Sequence, residues 1–307
     1  MRILLTGASG FLGSHVLRNL RAAGGGDVAV ILREPRGAWR IADALEGVRV
    51  IRADLADEAS FATAVGEFAP THVLHLAWDG VGGRNRNNPA QHRNVGQALR
   101  LLEIAMAAGA RDFIGLGSQA EYGPCAQRIG ESTPTRPTTM YGASKLATCL
   151  LAERLCALND VRFAWLRLFS SYGPRDNPEW MIPYLTRMLL RRERPAVTAA
   201  EQRWDYIYVE DAAEAVTAVA RTPAAEGVFN LGSGSAPPLR DVIESIRRQV
   251  DPSLPIGYGE VPYRPDQVMR LEANIGRLAA STGWKPRTGL VQGIRNTVNW
   301  YREHAEH

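Results

Sequence analysis

Apolar runs of strand length alternate with helix-length segments through the first half of this 307-residue chain. The runs are nearly continuous, as in strands that are buried on both faces, and parallel strands need helical crossovers between them. The pattern therefore predicts an α/β fold built on a doubly wound parallel sheet with helices on both faces. The strand candidates are RILLT, DVAVIL, VRVIRADL, HVLHLA, DFIGLGS and VRFAWLRLF.

The pattern changes after about residue 170, where short strand candidates, amphipathic helices and clustered prolines replace the regular alternation. No flexible linker separates the two parts, so we expect them to share an interface with a cleft. We assign residues 1–170 to the sheet domain and expect residues 203–232 to return to it. Residues 171–202 and 233–307 are expected to form a smaller C-terminal lobe.

Composition excludes several classes of protein. The net charge of +4 comes from interspersed acids and bases, so no nucleic-acid partner is expected. No segment is long and apolar enough to span a bilayer, and the first residues lead straight into a strand, so we expect a cytoplasmic protein without a membrane partner. Three cysteines argue against a disulfide framework, and no residue is predicted as a metal ligand.

The segment TGASGFLG places Gly7, Gly10 and Gly13 between the first strand and the first helix. Glycine permits a sharp turn and lets a pyrophosphate approach the helix N-terminus, where N–H groups and the helix dipole favour anions. The strand–loop–helix context therefore indicates a dinucleotide site in a Rossmann-type domain. The other loop residues predicted to bind the cofactor are Ser9, Phe11 and Leu12.

The end of the second strand predicts which dinucleotide binds. An acid there bonds the adenosine ribose of NAD, whereas a basic residue favours the phosphate of NADP. Arg33 and Arg36 occupy this segment, so NADP(H) is preferred and NAD(H) is the alternative; solvated arginines beside Glu34 are the other interpretation. After the third strand, Asp54 and Leu55 are predicted to contact the adenine, unless Asp54 caps the following helix.

The segment MYGASK contains Tyr141 and Lys145, which lie four residues apart and share one face of a predicted helix. A free phenol has a pKa of about 10, too high for ready proton exchange at neutral pH. A nearby ammonium favours the phenolate and lowers that pKa. Tyr141 is therefore predicted as the acid/base and Lys145 as its partner, and both are expected to contact the cofactor.

Several segments in order resemble the extended short-chain dehydrogenase/reductase family, and more narrowly its nucleotide-sugar epimerases, dehydratases and 4-ketoreductases. They are TGASGFLG, ADL, HLAW, GSQAEYG, YGASK and LRLFSSYGPR. The resemblance covers nearly the whole chain, because WDYIYVEDAAEAV, FNLGSG, YRPD and GWKPRTGL also match late segments. It implies that Ser118 bonds the reacting oxygen, whereas Tyr122 belongs to a structural segment.

The resemblance also implies contacts in the loop after the fourth strand and in the long helix beyond it. Leu76, Ala77 and Trp78 are expected to face the cofactor, and Asp79 to lie in the segment that covers the sugar. Asn94 matches an asparagine near the family's site, or it is an ordinary polar helix position.

The two residues after Ser118 bear on the reaction. In the family's 4,6-dehydratases these positions usually supply an acid or an acid pair that eliminates water. Gln119 and Ala120 cannot act as acids, so dehydration is disfavoured, and Glu121 is expected to be a structural or substrate-edge carboxylate. The basic REPR segment favours NADPH and therefore reduction of a 4-keto-6-deoxysugar nucleotide; NAD-dependent 4-epimerisation is the alternative. A non-catalytic sensor or scaffold is a distant third, because such members lose the tyrosine or lysine that this chain keeps.

The smaller lobe is expected to bind the nucleotide sugar. Ser170 stands where the family often has an asparagine, and Arg203 and Trp204 stand near the place of an arginine that clamps the diphosphate. Arg264 in YRPD is the best matched diphosphate ligand. The other predicted substrate contacts are Asp79, Ser118, Gln119 and Ala120.

The resemblance further implies a homodimer, because two long helices commonly pair with their mates in a four-helix interface. The matching segments here are about 89–108 and 140–158, and the apolar face ALRLLEIA fits such an interface. A helix packed on its own sheet would show the same pattern, so both arrangements stay open.

Overall fold

The computed structural model describes residues 1–24, 26–34, 38–264 and 267–304. The strands in these residues are β1 (Arg2–Thr6), β2 (Asp27–Leu32), β3 (Arg49–Arg52), β4 (His72–His75), β5 (Asp112–Ser118), β6 (Arg162–Leu168), β7 (Ser170–Tyr172), β8 (Ala196–Val197), β9 (Arg203–Trp204), β10 (Tyr206–Tyr208), β11 (Gly227–Leu231), β12 (Gly257–Tyr258) and β13 (Arg270–Leu271). Among them, seven parallel strands form one sheet in the order β11-β6-β5-β4-β1-β2-β3. The predicted Rossmann-type sheet is therefore confirmed.

Helices cover both faces of this sheet. In the described part of the chain they are α1 (Phe11–Ala22), α2 (Ala62–Phe68), α3 (Arg93–Ala107), α4 (Met140–Leu158), α5 (Met181–Leu190), α6 (Val209–Arg221), α7 (Leu239–Val250), α8 (Gly276–Thr282) and α9 (Leu290–Glu303). Alternate side chains of β1 enter opposite cores, with Ile3 and Leu5 on the side of α1 and α6, and Leu4 on the side of α2, α3 and α4. Cys149 and Cys156 are buried in the second core.

After β10 the chain returns to the seven-stranded sheet. Helix α6 packs against α1, and β11 pairs with β6 at the edge of the sheet. Helices α5, α7 and α9 enclose a separate core that includes Leu185, Ile243 and Val298. Residues 209–231 thus pack with the large sheet, whereas α5, α7 and α9 pack around a core of their own.

The strand ends define the edge where the predicted site residues meet. Strands β1, β2, β4 and β5 are parallel, so the loops that follow them emerge at the same edge. One local prediction needs correction there. The expected helix from residue 89 begins as a 3-10 turn, Pro89–His92, because the Asn88 side chain caps it, and α3 starts at Arg93. The chain also leaves the extended conformation directly after Ser118, in a 3-10 turn over Gln119–Glu121.

None of the described helices is both long and apolar enough to cross a membrane. The described residues also contain no group of three or more histidine, cysteine or acidic side chains placed to hold a metal ion.

Candidate active site

The glycine loop packs tightly against the end of β4. Gly7 has a φ of 75°, and a Cβ there would lie 2.6 Å from the backbone nitrogen of Ala77. A Cβ on Gly13 would lie 2.0 Å from the carbonyl oxygen of Gly7, so both positions require glycine. Helix α1 begins after Gly10 with no side-chain cap, which leaves first-turn N–H groups at Phe11 and Leu12 for an anion. These residues therefore fit the pyrophosphate of a dinucleotide.

The predicted phosphate ligand at the end of β2 has a partner that lies far away in sequence. The Arg33 guanidinium forms an ion pair with Asp79, with 3.0 Å between Nη2 and Oδ1, and both side chains are exposed. Glu34 lies 3.5 Å from Arg52, and Arg36 falls outside the described residues. The exposed Arg33 therefore lies at the end of β2 and is paired with Asp79 of the loop after β4.

Other predicted cofactor residues follow the carboxyl ends of β1, β3 and β4. Ser9 is exposed, and Leu76, Ala77 and Trp78 follow β4 directly. Asp54 is exposed and accepts a hydrogen bond from the Ala56 N–H at 2.9 Å, and Leu55 packs partly into the second core. The interpretation of Asp54 as a helix cap is wrong. Its bond to Ala56 closes a turn, and the next helical residues, Glu58–Ser60, begin only after Asp57.

Asn94 anchors the loop that follows β4. Its side-chain oxygen accepts the Asp79 N–H at 2.8 Å, and its amide nitrogen donates to the carbonyls of Asp79 and Gln91. Asn94 is thus more than an ordinary polar helix position, while its contact with a cofactor stays a prediction. The sequence reasoning overlooked Gln91, which is buried and donates to the carbonyls of Gly80 and Asn85.

The predicted catalytic side chains lie together between α4 and the end of β5. The Thr139 hydroxyl caps α4 by accepting the Gly142 N–H at 3.1 Å, so Tyr141 and Lys145 project from the first two turns. Both are almost completely buried, with 6% and 2% of their surface exposed. Lys145 Nζ donates to the Leu116 carbonyl at 2.6 Å. The structure therefore brings the tyrosine–lysine pair to the end of β5, beside Ser118.

Trp78 completes the wall of this cluster. Lys145 Nζ lies 3.8 Å from the centre of its indole ring, and the Tyr141 ring meets the indole edge-on at 6.1 Å between centroids. The indole N–H donates to Gln91 at 2.8 Å, which fixes the plane of the ring. Trp78 is therefore held against both predicted catalytic side chains, a contact that the sequence did not indicate.

Burial shifts the proton affinities of the pair. Burial lowers the pKa of Lys145 to about 7, and the negative charge of Glu121 opposes that shift. Burial raises the pKa of Tyr141 above its ordinary value, while a hydrogen bond with Ser118 and the positive charge of Arg86 act against the rise. The two pKa values therefore move apart: that of Lys145 falls to about 7, whereas that of Tyr141 rises, so the lowered pKa predicted for the phenol is not observed.

Glu121 and Tyr122 are structural. Glu121 is completely buried and accepts hydrogen bonds from the Ser118 N–H at 2.9 Å, Trp165 Nε1 at 3.0 Å and Arg167 Nε at 2.7 Å. Tyr122 is buried and donates from its hydroxyl to Asn230 at 2.7 Å. The Glu121 carboxylate is therefore committed to the fold, and the interpretation of Tyr122 as separate from the reacting phenol agrees with its position.

The predicted substrate residues are more dispersed. Ser170 lies half-buried in β7, and Arg203 and Arg264 are exposed. Trp204 is half-buried and its indole N–H donates to the Val268 carbonyl at 2.8 Å. Within the described residues, no hydrogen bond or ring contact links these four side chains to Tyr141 or Lys145, so their part in substrate binding stays a prediction.

The parallel sheet, the glycine loop and the tyrosine–lysine pair together define a dinucleotide-dependent enzyme of the extended short-chain dehydrogenase/reductase type. Residues 3–232 match the model of the NAD dependent epimerase/dehydratase family, and the chain belongs to that family. Proteins similar to the chain include epimerases and dehydratases of nucleotide sugars.

Individual relatives resemble the chain over almost its whole length. A UDP-glucose 4-epimerase of Streptomyces lividans is 30% identical, with 99% of this chain and 97% of that protein covered. A probable dTDP-glucose 4,6-dehydratase of Sinorhizobium fredii is 27% identical, with 99% and 94% covered. The structure of Thermus thermophilus UDP-glucose 4-epimerase in complex with NAD has a TM-score of 0.88 and 29% identity, covering 98% of this chain and 99% of that one. Family membership is confirmed, and the particular reaction stays open.

Proposed function

We propose that this chain reduces the C4 ketone of a nucleotide-activated 6-deoxysugar with NADPH. One observation carries the choice of reduction: an exposed arginine, Arg33, stands at the end of β2, where a carboxylate would favour NAD. A guanidinium suits the extra phosphate of NADP, and an exchangeable NADPH suits net reduction rather than an internally balanced epimerisation. Arg36, three residues further on, is proposed to assist.

The chain's own residues would perform the proton transfer. The dinucleotide, when bound, supplies the hydride. The Tyr141 hydroxyl gives its proton to the C4 oxygen of the sugar, and Ser118 donates a hydrogen bond to the same oxygen. Lys145 stabilises the phenolate that remains and holds the ribose of the cofactor. The buried position of all three side chains keeps bulk water away from these bonds.

Dehydration is the reaction that the site supports least. Gln119 and Ala120 have no carboxyl group, and the nearest acid, Glu121, is bonded to Ser118, Trp165 and Arg167. A carboxylate committed to a buried guanidinium is a poor acid for eliminating water. This chain therefore lacks a free carboxylic acid next to Ser118 for the elimination of water.

NAD-dependent 4-epimerisation of a nucleotide sugar is the second candidate. The 4-epimerase relatives and the ion pair that ties Arg33 to Asp79 both favour it. Ser118, Tyr141 and Lys145 would serve an epimerase equally well, because it oxidises and then reduces the same carbon. The two reactions differ in whether the cofactor is consumed.

The smaller lobe is proposed to hold the nucleotide sugar, with residues 171–202 and 233–307 as the substrate lobe and 1–170 with 203–232 as the dinucleotide domain. Arg264 and Arg203 would bind the diphosphate, and Trp204 and Ser170 the nucleoside or sugar.

A location in the cytoplasm is also proposed. The chain is further proposed to form a homodimer, because α4 exposes Leu150 and Leu151 at 53% and 49%. Apolar side chains so exposed on one helix suit burial against a second copy.

The function is tested by supplying purified protein with NADPH and a nucleotide-linked 4-keto-6-deoxyhexose, generated in place by a separate 4,6-dehydratase. We expect one NADPH to be consumed for each sugar reduced. The matched assay offers UDP-glucose or UDP-galactose with NAD and follows their interconversion. Rapid interconversion, without NADPH consumption in the first assay, would contradict reduction and establish the epimerase.

Cofactor choice is tested by Arg33→Asp. We expect the preference for NADPH over NADH, as a ratio of kcat/KM values, to fall at least about tenfold, because a hydrogen bond to a charged group contributes about 1.5–3 kcal/mol. Asp79→Asn should move the ratio the other way by releasing Arg33. The control is Arg49→Asp, an equal charge change at the distant amino end of β3. A ratio unchanged in Arg33→Asp would remove Arg33 from the phosphate site.

A further inference from the structure

An arginine of the loop after β4 is fixed against the start of α4. The Arg86 carbonyl accepts the Tyr141 N–H at 2.8 Å, and the Asn87 side chain accepts the Met140 N–H at 3.2 Å. These two N–H groups belong to the first turn of α4 and have no partner within the helix. The loop therefore satisfies the helix terminus, and the position of Arg86 is set by backbone bonding to Tyr141 itself.

The Arg86 guanidinium lies over the face of the Tyr141 ring. Its central carbon is 5.2 Å from the ring centre, within the range of a cation–π contact. Its Nε is shielded from solvent and has no hydrogen-bond partner, and no ion pair of Arg86 occurs among the described residues. A buried guanidinium nitrogen without a partner is costly, which points to a use for the charge at this place.

The other charged groups near Tyr141 also have contacts within the fold. Lys145 Nζ donates to the Leu116 carbonyl and lies over the Trp78 ring. Glu121, below the end of β5, is paired with Arg167. Burial lowers the pKa of the Lys145 ammonium to about 7. Arg86 is thus the cation that lies over the face of the phenol ring itself.

We propose that Arg86 is a positioning residue that acts through Tyr141, as a fixed cation against the phenol ring that stabilises its phenolate. The proposal rests on the proposed function in one respect, the use of Tyr141 as the acid. When C4 accepts a hydride, its oxygen takes the Tyr141 proton, and the electron pair of the broken O–H bond stays on the phenolate. Water later returns the proton. The positive charge of Arg86 favours the phenolate and so makes Tyr141 a stronger acid.

The test is a titration of Tyr141 in the full-length protein. The absorbance of ionised tyrosine is recorded against pH for Arg86→Met, Arg86→Lys and the wild type, and the curve of a Tyr141→Phe background is subtracted from each. We expect the Tyr141 transition to move up by about one pH unit in Arg86→Met, because loss of a nearby opposite charge raises the pKa of an acid by about that much. Arg86→Lys should keep most of the wild-type position.

The controls separate charge from structure and from substrate binding. Arg84→Met removes an exposed arginine of the same loop and should leave the transition unmoved. If Arg86→Met unfolds, Arg86→Gln takes its place, with thermal unfolding checked in each variant. In turnover assays, kcat should fall in Arg86→Met with KM for the sugar little changed.

An unmoved Tyr141 transition in Arg86→Met or Arg86→Gln would overturn the proposal. A rise of KM alone, with the transition unmoved, would also overturn it and assign Arg86 to the substrate. The proposed function fails separately: if no keto-sugar is turned over but the Arg86 variants still move the transition, the role of Arg86 stands and the reductase does not.

Discussion

Tyr141→Phe is expected to lose turnover by a factor of about 10²–10⁴, the usual contribution of a positioned general acid. The ring, its edge contact with Trp78 and the contact with Arg86 all remain in this variant, so only the hydroxyl group that carries the proton is removed. The dinucleotide should still bind, since Gly7, Gly10 and Gly13 are untouched. The measurement is the rate of NADPH consumption, with cofactor affinity measured by fluorescence.

The matched control is Tyr122→Phe. It also removes one buried phenol oxygen, but that oxygen donates to Asn230 and serves the fold. This variant should be less stable by about 1 kcal/mol and should keep its turnover. Equal losses of activity in the two variants, or full activity in Tyr141→Phe, would contradict the role given to Tyr141.

Glu121→Gln is expected to lower the free energy of unfolding by about 3–5 kcal/mol, because it leaves the buried Arg167 without its counter-charge. The side chains of this pair are 0% and 6% exposed, so water cannot replace the lost partner. The amide also cannot accept all three hydrogen bonds that the carboxylate accepts from Ser118, Trp165 and Arg167. The measured quantity is the midpoint of unfolding in urea, monitored by tryptophan fluorescence.

The control for this variant is Glu58→Gln, which removes an equal charge from the exposed ion pair with Arg100. Exposed pairs contribute little because solvent screens them, so the midpoint should hardly move. If the two substitutions shifted the midpoint equally, Glu121 would not be the buried anchor that its contacts indicate.

The sheet and the position of Tyr141 and Lys145 could be predicted because local patterns determine them. Near-continuous apolar runs, helix-period segments and a glycine loop each fit within one structural element. The i, i+4 spacing placed both catalytic side chains on one helix face, and the cap at Thr139 starts that helix where the sequence indicated. The direction of the Glu121 side chain is harder to predict from sequence, because the chain turns directly after Ser118 and its side chains no longer alternate between faces there.

Contacts between distant segments could not be predicted in this way. Arg33 was interpreted by its strand alone, whereas its partner Asp79 lies 46 residues away on the loop after β4. Arg86 and Gln91 belong to no motif, and their importance follows only from the way that loop folds back on α4 and Trp78. A pattern that identifies one element carries no information about which side chains a neighbouring loop brings to it.

Hydride transfer to the sugar is tested most directly with NADPH that carries deuterium on the transferable position. The protein is given this cofactor and a nucleotide-linked 4-keto-6-deoxyhexose, and the product is examined by mass spectrometry and NMR. Reduction by this site predicts one deuterium at C4 for each NADPH consumed, in the wild type but not in Tyr141→Phe. Product without deuterium at C4, or interconversion of 4-epimers with no NADPH consumed, would contradict it.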